Sequence, residues 1–369
     1  MDSNDPDRLV LIFGGAGFVG SNWAYHLLAK TDAHVHIFDN LSRGNVRHNL
    51  DWLQKAPEAN GRLRITISDI RNFNAVESAV CAATEIYHFA AQVAVTSSLE
   101  NPRTDFEVNA GGTFNILEAA RRSGNRPFLL FASTNKVYGH IRASHSGNGV
   151  LDRYDETANN SVRESQALDF YSPYGCSKGA ADQYVHHYFK IFGVPTVVFR
   201  MSSIAGPRQF DTEGQGWVAH FVYSALQGKM ISIYGNGRQV RDVLAVQDLI
   251  RAFAAAYENR DKTAGQIYNI GGGADNAVSL LGLIELIKTG LNVRIDYRFR
   301  PARVSDQSVY ITNFSKFARH TKWLPERSVE QTVYDLCHWY KTNEMLFAPA
   351  PFPVLANPLP TDAVSGMAS

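Results

Sequence analysis

Tyr174 and Lys178 stand four residues apart in the run Pro173-Tyr-Gly-Cys-Ser-Lys178, at the head of a helical pattern, so a phenol and an ammonium share one helix face. A phenol of ordinary pKa, about 10, is a poor base at neutral pH. One cation at about 4 Å, in an effective dielectric of about 20, favours phenolate by about 4 kcal/mol, or roughly three pKa units. Lys178, helped by a second positive charge at the site, would make Tyr174 a usable general base. Such pairs also occur on ordinary amphipathic helices, so the surroundings must decide. In Phe131-Ala-Ser-Thr134-Asn-Lys-Val-Tyr-Gly139 an apolar strand ends on a hydroxyl, Thr134. The carboxyl ends of such strands are where ligands of open α/β sheets bind, and the Thr134 hydroxyl is suited to orienting a reacting hydroxyl there.

The elements that must position these groups are legible as apolar runs. Leu9–Phe13, Val35–Phe38, Leu63–Ile67, Glu85–Phe89, Phe128–Phe131 and Thr196–Phe199 read as short buried strands, most of them separated by helical patterns. Repeated βαβ units imply a doubly wound parallel sheet, a Rossmann fold, because parallel strands need crossover helices. After about Ser202 the pattern changes to shorter strands (Ile231–Tyr234, Ile267–Ile270, Arg294–Tyr297) and helices near Trp217–Leu226, Val246–Tyr257, Ser279–Lys288 and Val329–Lys341. This predicts a nucleotide-binding domain over 1–201 and a smaller C-terminal α/β substrate lobe over 202–345, with some return to the first domain. The alanine- and proline-rich tail, 346–369, lacks periodicity and reads as disordered.

Gly14, Gly17 and Gly20 follow the first strand directly and precede the helical run Phe18–Leu28. Glycines there allow a tight turn and let backbone amides approach a pyrophosphate at a helix N-terminus. Asp39 ends the second strand about twenty residues later, where a carboxylate accepts from ribose hydroxyls and repels a 2′-phosphate. NAD is therefore favoured over NADP, although Arg43 lies close by in sequence. Oxidised nicotinamide supplies the second positive charge that Tyr174 needs. Asp69, after the third strand, and the strand end Phe89-Ala-Ala-Gln92 are weaker candidates for adenine and ribose contact.

Composition excludes several classes. The 369 residues are 45% hydrophobic and 19% charged with a formal net charge of +1, which suits neither a disordered chain nor a nucleic-acid surface. No stretch reaches membrane-spanning length, and the acidic start Met1–Arg8 is unlike a secretory signal. Cys81, Cys176 and Cys337 are too few and too scattered for a disulfide framework or a zinc site, so no metal is expected and a reducing cytoplasm is.

Taken in order, these motifs resemble the extended short-chain dehydrogenase/reductase family of nucleotide-sugar epimerases and dehydratases, over roughly Leu9 to Tyr340. Within it the chain looks most like the CDP-paratose 2-epimerase (CDP-tyvelose epimerase) group. That likeness rests on Ser133-Thr-Asn-Lys-Val-Tyr-Gly139, Pro173-Tyr-Gly-Cys-Ser-Lys-Gly-Ala-Ala-Asp-Gln-Tyr184, Gly206-Pro-Arg-Gln-Phe210, Gln215-Gly-Trp217 and Gly237-Arg-Gln-Val-Arg-Asp242. The resemblance gives Thr134, Tyr174 and Lys178 the catalytic roles. It places Gly14, Gly17, Phe18, Val19, Asp39, Asn40, Ser42, Arg43, Asp69, Ile70, Ala90, Gln92 and Asn109 against NAD, along with Tyr174 and Lys178. It also implies a homodimer through Pro102–Arg122 and Tyr174–Phe192.

The residues after Thr134 bear on the reaction. Family dehydratases carry Asp-Glu there, to protonate a leaving hydroxyl and remove a proton. Asn135-Lys136 offers neither group, and decarboxylases, with a nearby glutamate, are disfavoured likewise. Reversible hydride transfer, hence epimerisation, needs neither. The resemblance points to C2, generic members act at C4, and spacing does not distinguish them. A nucleotide-sugar dehydrogenase and a non-catalytic NAD-binding regulator are the other readings. For the nucleotide-sugar, Arg241, Arg303 and Asp306 suit a diphosphate and ribose. Thr134, Asn135, Gln215 and Trp217 would line the sugar pocket. Val304-Ser305 replaces the family's usual Pro-Gly between Arg303 and Asp306, and Ala205 stands where tyrosine is common. The loop His140–Ser172 is expected to cover the sugar.

Overall fold

The computed structural model describes residues 8–139, 141, 161–210, 216–303 and 306–347. Expectations for the first seven residues, for most of the loop 140–160, for Gln215, for Val304 and Ser305 and for the tail beyond Phe347 lie outside them.

In β1 (Leu9–Phe13) the residues Val10, Leu11, Ile12 and Phe13 are all fully buried, as a parallel strand covered on both faces requires. With β2 (His34–Asp39), β3 (Leu63–Ile67), β4 (Glu85–His88), β5 (Phe128–Thr134) and β6 (Thr196–Met201) it forms a parallel sheet. β10 (Gln266–Ile270) adds a seventh strand, giving the order β10-β6-β5-β4-β1-β2-β3. Trp23, Leu27, Leu249 and Phe253 pack on one face of the sheet; Val76, Ile116, Leu117 and Val185 pack on the other. The chain order reverses between β1 and β4, so a crevice opens at the carboxyl ends of these two strands. Gly14 and Ala90 stand at that crevice: Gly14 N donates to Phe38 O at 2.8 Å and Ala90 N to Phe13 O at 2.9 Å.

The smaller lobe is built around β9 (Val240–Ala245), which pairs with β7 (Ser203–Ala205) and β13 (Val309–Tyr310) in parallel and with β11 (Ala277–Ser279) antiparallel. β9 escapes an apolar-run search because Arg241 and Asp242 interrupt it; both are nonetheless buried, Asp242 completely. Asp242 is the joint between the two parts. Its carboxylate accepts from Ser202 Oγ at 2.6 Å, Thr312 N at 3.2 Å and Gly273 N at 3.1 Å, tying β9 to the segments that follow β6 and β10.

One strand is displaced from its expected place. β12 runs over Tyr297–Arg300 rather than Arg294–Tyr297, and pairs with β8 (Ile231–Tyr234) in the register Tyr297↔Ile231. Val293 and Ile295 lie before the strand and pack against the lobe's core. Conversely, β10 and the helix Val246–Glu258 lie with the large sheet and not with the lobe. No helix among the described residues is long and apolar enough to cross a membrane.

Candidate active site

Ser172 starts the helix Pro173–Phe192, which carries Tyr174 and Lys178: its Oγ accepts from Gly175 N at 3.0 Å, and Pro173 follows at the first helical position, where its missing N–H costs nothing. Tyr174 and Lys178 then project from successive turns, both buried. Lys178 Nζ donates to Ala132 O at 2.6 Å and lies 4.0 Å from the centre of the Phe131 ring. Thr134, last residue of β5, lines the same pocket as the Tyr174 phenol and caps the turn Asn135–Tyr138 by accepting from Lys136 N at 3.2 Å. The three residues expected to do chemistry are thus brought together.

Their electrostatics differ from the expectation in one respect. Burial pushes Tyr174 up to about 12, the Thr134 hydroxyl works against that, and the Asp105 carboxylate adds to it. Lys178 is itself pushed down to about 7 by burial, with Asp182 and Asp105 opposing. The four-residue spacing therefore does not by itself lower the phenol, because the ammonium is drawn to the Ala132 carbonyl. Positive charge on the reacting side, such as a nicotinamide ring carries, is what this buried pair requires.

The cofactor cradle is present in detail. Gly14 has φ +78°, and a Cβ there would sit 2.6 Å from Ala90 N; one at Gly20 would run into the Gly14 carbonyl. Gly17 begins the helix Phe18–Lys30 with no side-chain cap, so the first-turn amides, near Phe18 and Val19, are left for an anion. Asp39 accepts from Ala16 N at 3.1 Å and Leu41 N at 2.9 Å, which fixes its carboxylate at the end of β2. Burial raises its pKa, and the two amides together with Arg43 oppose the rise. Asp69 accepts from Asn40 Nδ2 and from the Arg71 guanidinium, each at 2.9 Å, and these partners hold it down at about 2. Ser42 and Arg43 are exposed beside them, and Ile70 is buried against Gly112. Asn109 lies in a single π-helical turn, Glu107–Gly111, a feature common at functional sites. It exchanges two hydrogen bonds with the Gln92 backbone and donates to Ser177 Oγ, linking the end of β4 to the helix Pro173–Phe192. These residues fit a dinucleotide.

A pocket of about 440 Å³ opens between Thr134 and Tyr174 on one side and the lobe on the other. Asn135, Trp217, Arg241, Arg303 and Asp306 all line it, as expected from the sequence. Trp217 serves the core as well, with Nε1 donating to Ser203 Oγ at 3.1 Å. Arg241 Nη2 donates to Asp306 Oδ1 at 2.8 Å and to the Gln307 carbonyl, while Arg303 lies over the Tyr234 ring at 3.9 Å. Gln215 lies outside the described residues. Sequence reasoning missed Lys136, His220, Tyr234 and Gln239 as lining groups. Gln239 was within reach, inside the Gly237–Asp242 motif; His220 and Tyr234 sit on an ordinary helix and strand and gave no signal.

Residues 11–336 match the GDP-mannose 4,6 dehydratase family. The chain is also 41% identical over 338 residues to a CDP-paratose 2-epimerase of Salmonella typhi, covering 89% of this chain and 98% of that protein. The chain belongs to the extended short-chain dehydrogenase/reductase family of nucleotide-sugar epimerases and dehydratases. Solved members of this family share the fold closely. The Thermus thermophilus UDP-glucose 4-epimerase, in complex with NAD, superposes with a TM-score of 0.77 at 28% identity, over 91% of this chain and 100% of that one. A dTDP-glucose 4,6-dehydratase from Streptomyces venezuelae, solved with NAD bound, gives 0.78 at 27% identity, over 92% and 98%. Among the described residues no cluster of His, Cys, Asp or Glu is arranged to hold a metal.

Proposed function

We propose that this chain is an NAD-dependent nucleotide-sugar epimerase that inverts C2 of a CDP-linked sugar of the paratose/tyvelose type. The observation that carries this reading is the catalytic turn itself. Thr134 and Tyr174 line one pocket, and the next residues, Asn135 and Lys136, provide no acid–base pair for elimination. The likeness to a CDP-paratose 2-epimerase supports C2 over C4, and relatives solved with NAD support the cofactor.

In this reading residues 1–201 hold NAD and 202–345 hold the nucleotide-sugar, with β10 returning to the large sheet. The cradle of Gly14, Gly17 and Asp39 would hold NAD, which would supply reversible hydride chemistry at the sugar carbon, so that the ketosugar can be reduced on either face. Tyr174 takes the hydroxyl proton and gives it back, Thr134 orients that hydroxyl, and Lys178, anchored on the Ala132 carbonyl, holds the phenol's helix against β5. Asn135 and Trp217 bound the space in which the ketosugar turns. Arg241, Arg303 and Asp306 hold the diphosphate and ribose while it does so. Phe106, Phe114 and Tyr184, exposed aromatic side chains on the helices expected to pair, support a homodimer. Three free cysteines support a cytoplasmic setting.

The test is to incubate the protein with CDP-, UDP-, dTDP- and GDP-sugars and look by NMR for a new epimer. Slower turnover with deuterium at C2, and not at C4, is expected. A 4-epimerase would reverse that pattern. Free NADH with a stable ketosugar would identify a dehydrogenase instead.

A further inference from the structure

Lys136 is more than a residue in the place of an acid. The residue sits on the turn Asn135–Tyr138, its backbone N–H bonded to the Thr134 hydroxyl, and its side chain, 23% exposed, lines the sugar pocket. Its ammonium lies 3.7 Å from Asp306 Oδ1, the same oxygen that Arg241 holds at 2.8 Å. Two cations thus converge on one carboxylate oxygen, which leaves an excess positive charge at the pocket wall. Arg303 and His220 line the same pocket, and Asp306 is the only carboxylate lining it among the described residues. Burial and the neighbouring Arg241 both press Lys136 down, to about 8, against the pull of Asp306, as expected of a cation short of counter-charge.

The turn is also stapled to the lobe. Gln307 Nε2 donates to Gly139 O at 2.7 Å and to Asn135 O at 3.4 Å, so the Asp306–Gln307 segment and the catalytic turn are held as one piece. The chemistry of a C2 reaction sets a requirement here. The diphosphate hangs on C1, one bond from the reacting carbon, so its sugar-linked phosphate must lie beside the catalytic hydroxyls. In a C4 reaction the phosphate lies across the ring. A cation two residues from Thr134, on the same turn, suits the first arrangement.

We propose that Lys136 binds the sugar-linked phosphate of the substrate's diphosphate, taking up its charge together with Arg241, and so seats C1 next to Thr134 and Tyr174. This rests on the nucleotide-sugar reading and deepens it: Lys136 becomes a specificity-determining residue for the carbon that reacts.

The experiment compares CDP with CMP binding by calorimetry to the wild-type holoenzyme, to Lys136→Met and to Lys136→Arg, with melting temperature and NAD content as checks on folding. Loss of one charge-assisted contact to the second phosphate predicts a CDP dissociation constant raised roughly 10- to 100-fold in Lys136→Met, CMP changed less than about threefold, and partial rescue by Lys136→Arg. The substrate KM should rise more than kcat falls. A Lys136→Met enzyme that keeps the wild-type preference for CDP over CMP overturns the proposal, as does equal weakening of both nucleotides. If wild-type protein binds no nucleoside diphosphate of any base, the nucleotide-sugar reading itself fails, a result distinct from either of these.

Discussion

Lys178 Nζ is hydrogen-bonded to the Ala132 carbonyl at 2.6 Å, which pins the helix Pro173–Phe192 to β5 two residues before Thr134. Helix and strand therefore present Tyr174, Lys178 and Thr134 as one rigid unit. Burial takes Lys178 from its ordinary 10.5 to about 7. Between those values the unfolded chain holds a proton that the native site lacks, so this group makes stability rise with pH across the window of about 7 to 10.5. The difference in melting temperature, Lys178→Met minus wild type, should be most positive below pH 7 and shrink towards pH 10. A difference independent of pH would contradict the shift.

In the proposed reaction Tyr174 is the proton acceptor, and Tyr174→Phe removes that group and little else, since the ring is buried and shape is kept. Turnover should fall by at least about 10²- to 10⁴-fold, the usual contribution of a positioned base. NAD content and melting temperature should stay close to wild type. Retained biological activity with turnover abolished would favour a non-catalytic NAD-binding regulator.

Gly20→Ala places a methyl group against the Gly14 carbonyl at the heart of the dinucleotide turn. Overpacking of this kind costs roughly 1–3 kcal/mol. Purified variant should carry less NAD than wild type and melt earlier, with added NAD recovering part of the loss.

Arg200 makes two hydrogen bonds to the Asp182 carboxylate, at 2.8 and 2.9 Å, and both side chains are almost wholly buried. Arg200→Met would strand a buried carboxylate and should destabilise by about 3–5 kcal/mol, read from chemical denaturation. Pairing that change with Asp182→Leu should return much of the loss, because the cost is the unpaired charge.

Phe106 is 60% exposed on the helix Pro102–Phe106. Phe106→Glu should shift the protein from dimer to monomer in sedimentation experiments if this face is the dimer contact. An unchanged dimer would move the contact elsewhere.

Much of this protein is written locally in its sequence. Alternating apolar runs and helical periods specify a parallel sheet, and Gly14, Gly17, Gly20 and Asp39 announce a dinucleotide cradle because a tight turn and a strand-end carboxylate need those residue types at those places. Tyr174, Lys178 and Thr134 were legible for the same reason: their geometry follows from a helix face and a strand end. What the sequence could not state depends on chain segments far apart. β9 was hidden because buried Arg241 and Asp242 break the apolar run that marks a strand, and their burial is tolerated only through partners such as Ser202, Thr312 and Asp306. β10 joins the large sheet beside β6 although residues 202–265 lie between the two strands, a pairing no local period encodes. The state of the catalytic pair was likewise decided in three dimensions. Spacing led to the expectation that Lys178 and an oxidised nicotinamide together lower the phenol; in the protein alone burial raises Tyr174 and lowers Lys178, because desolvation depends on everything packed around a group and not only on the residue four places along.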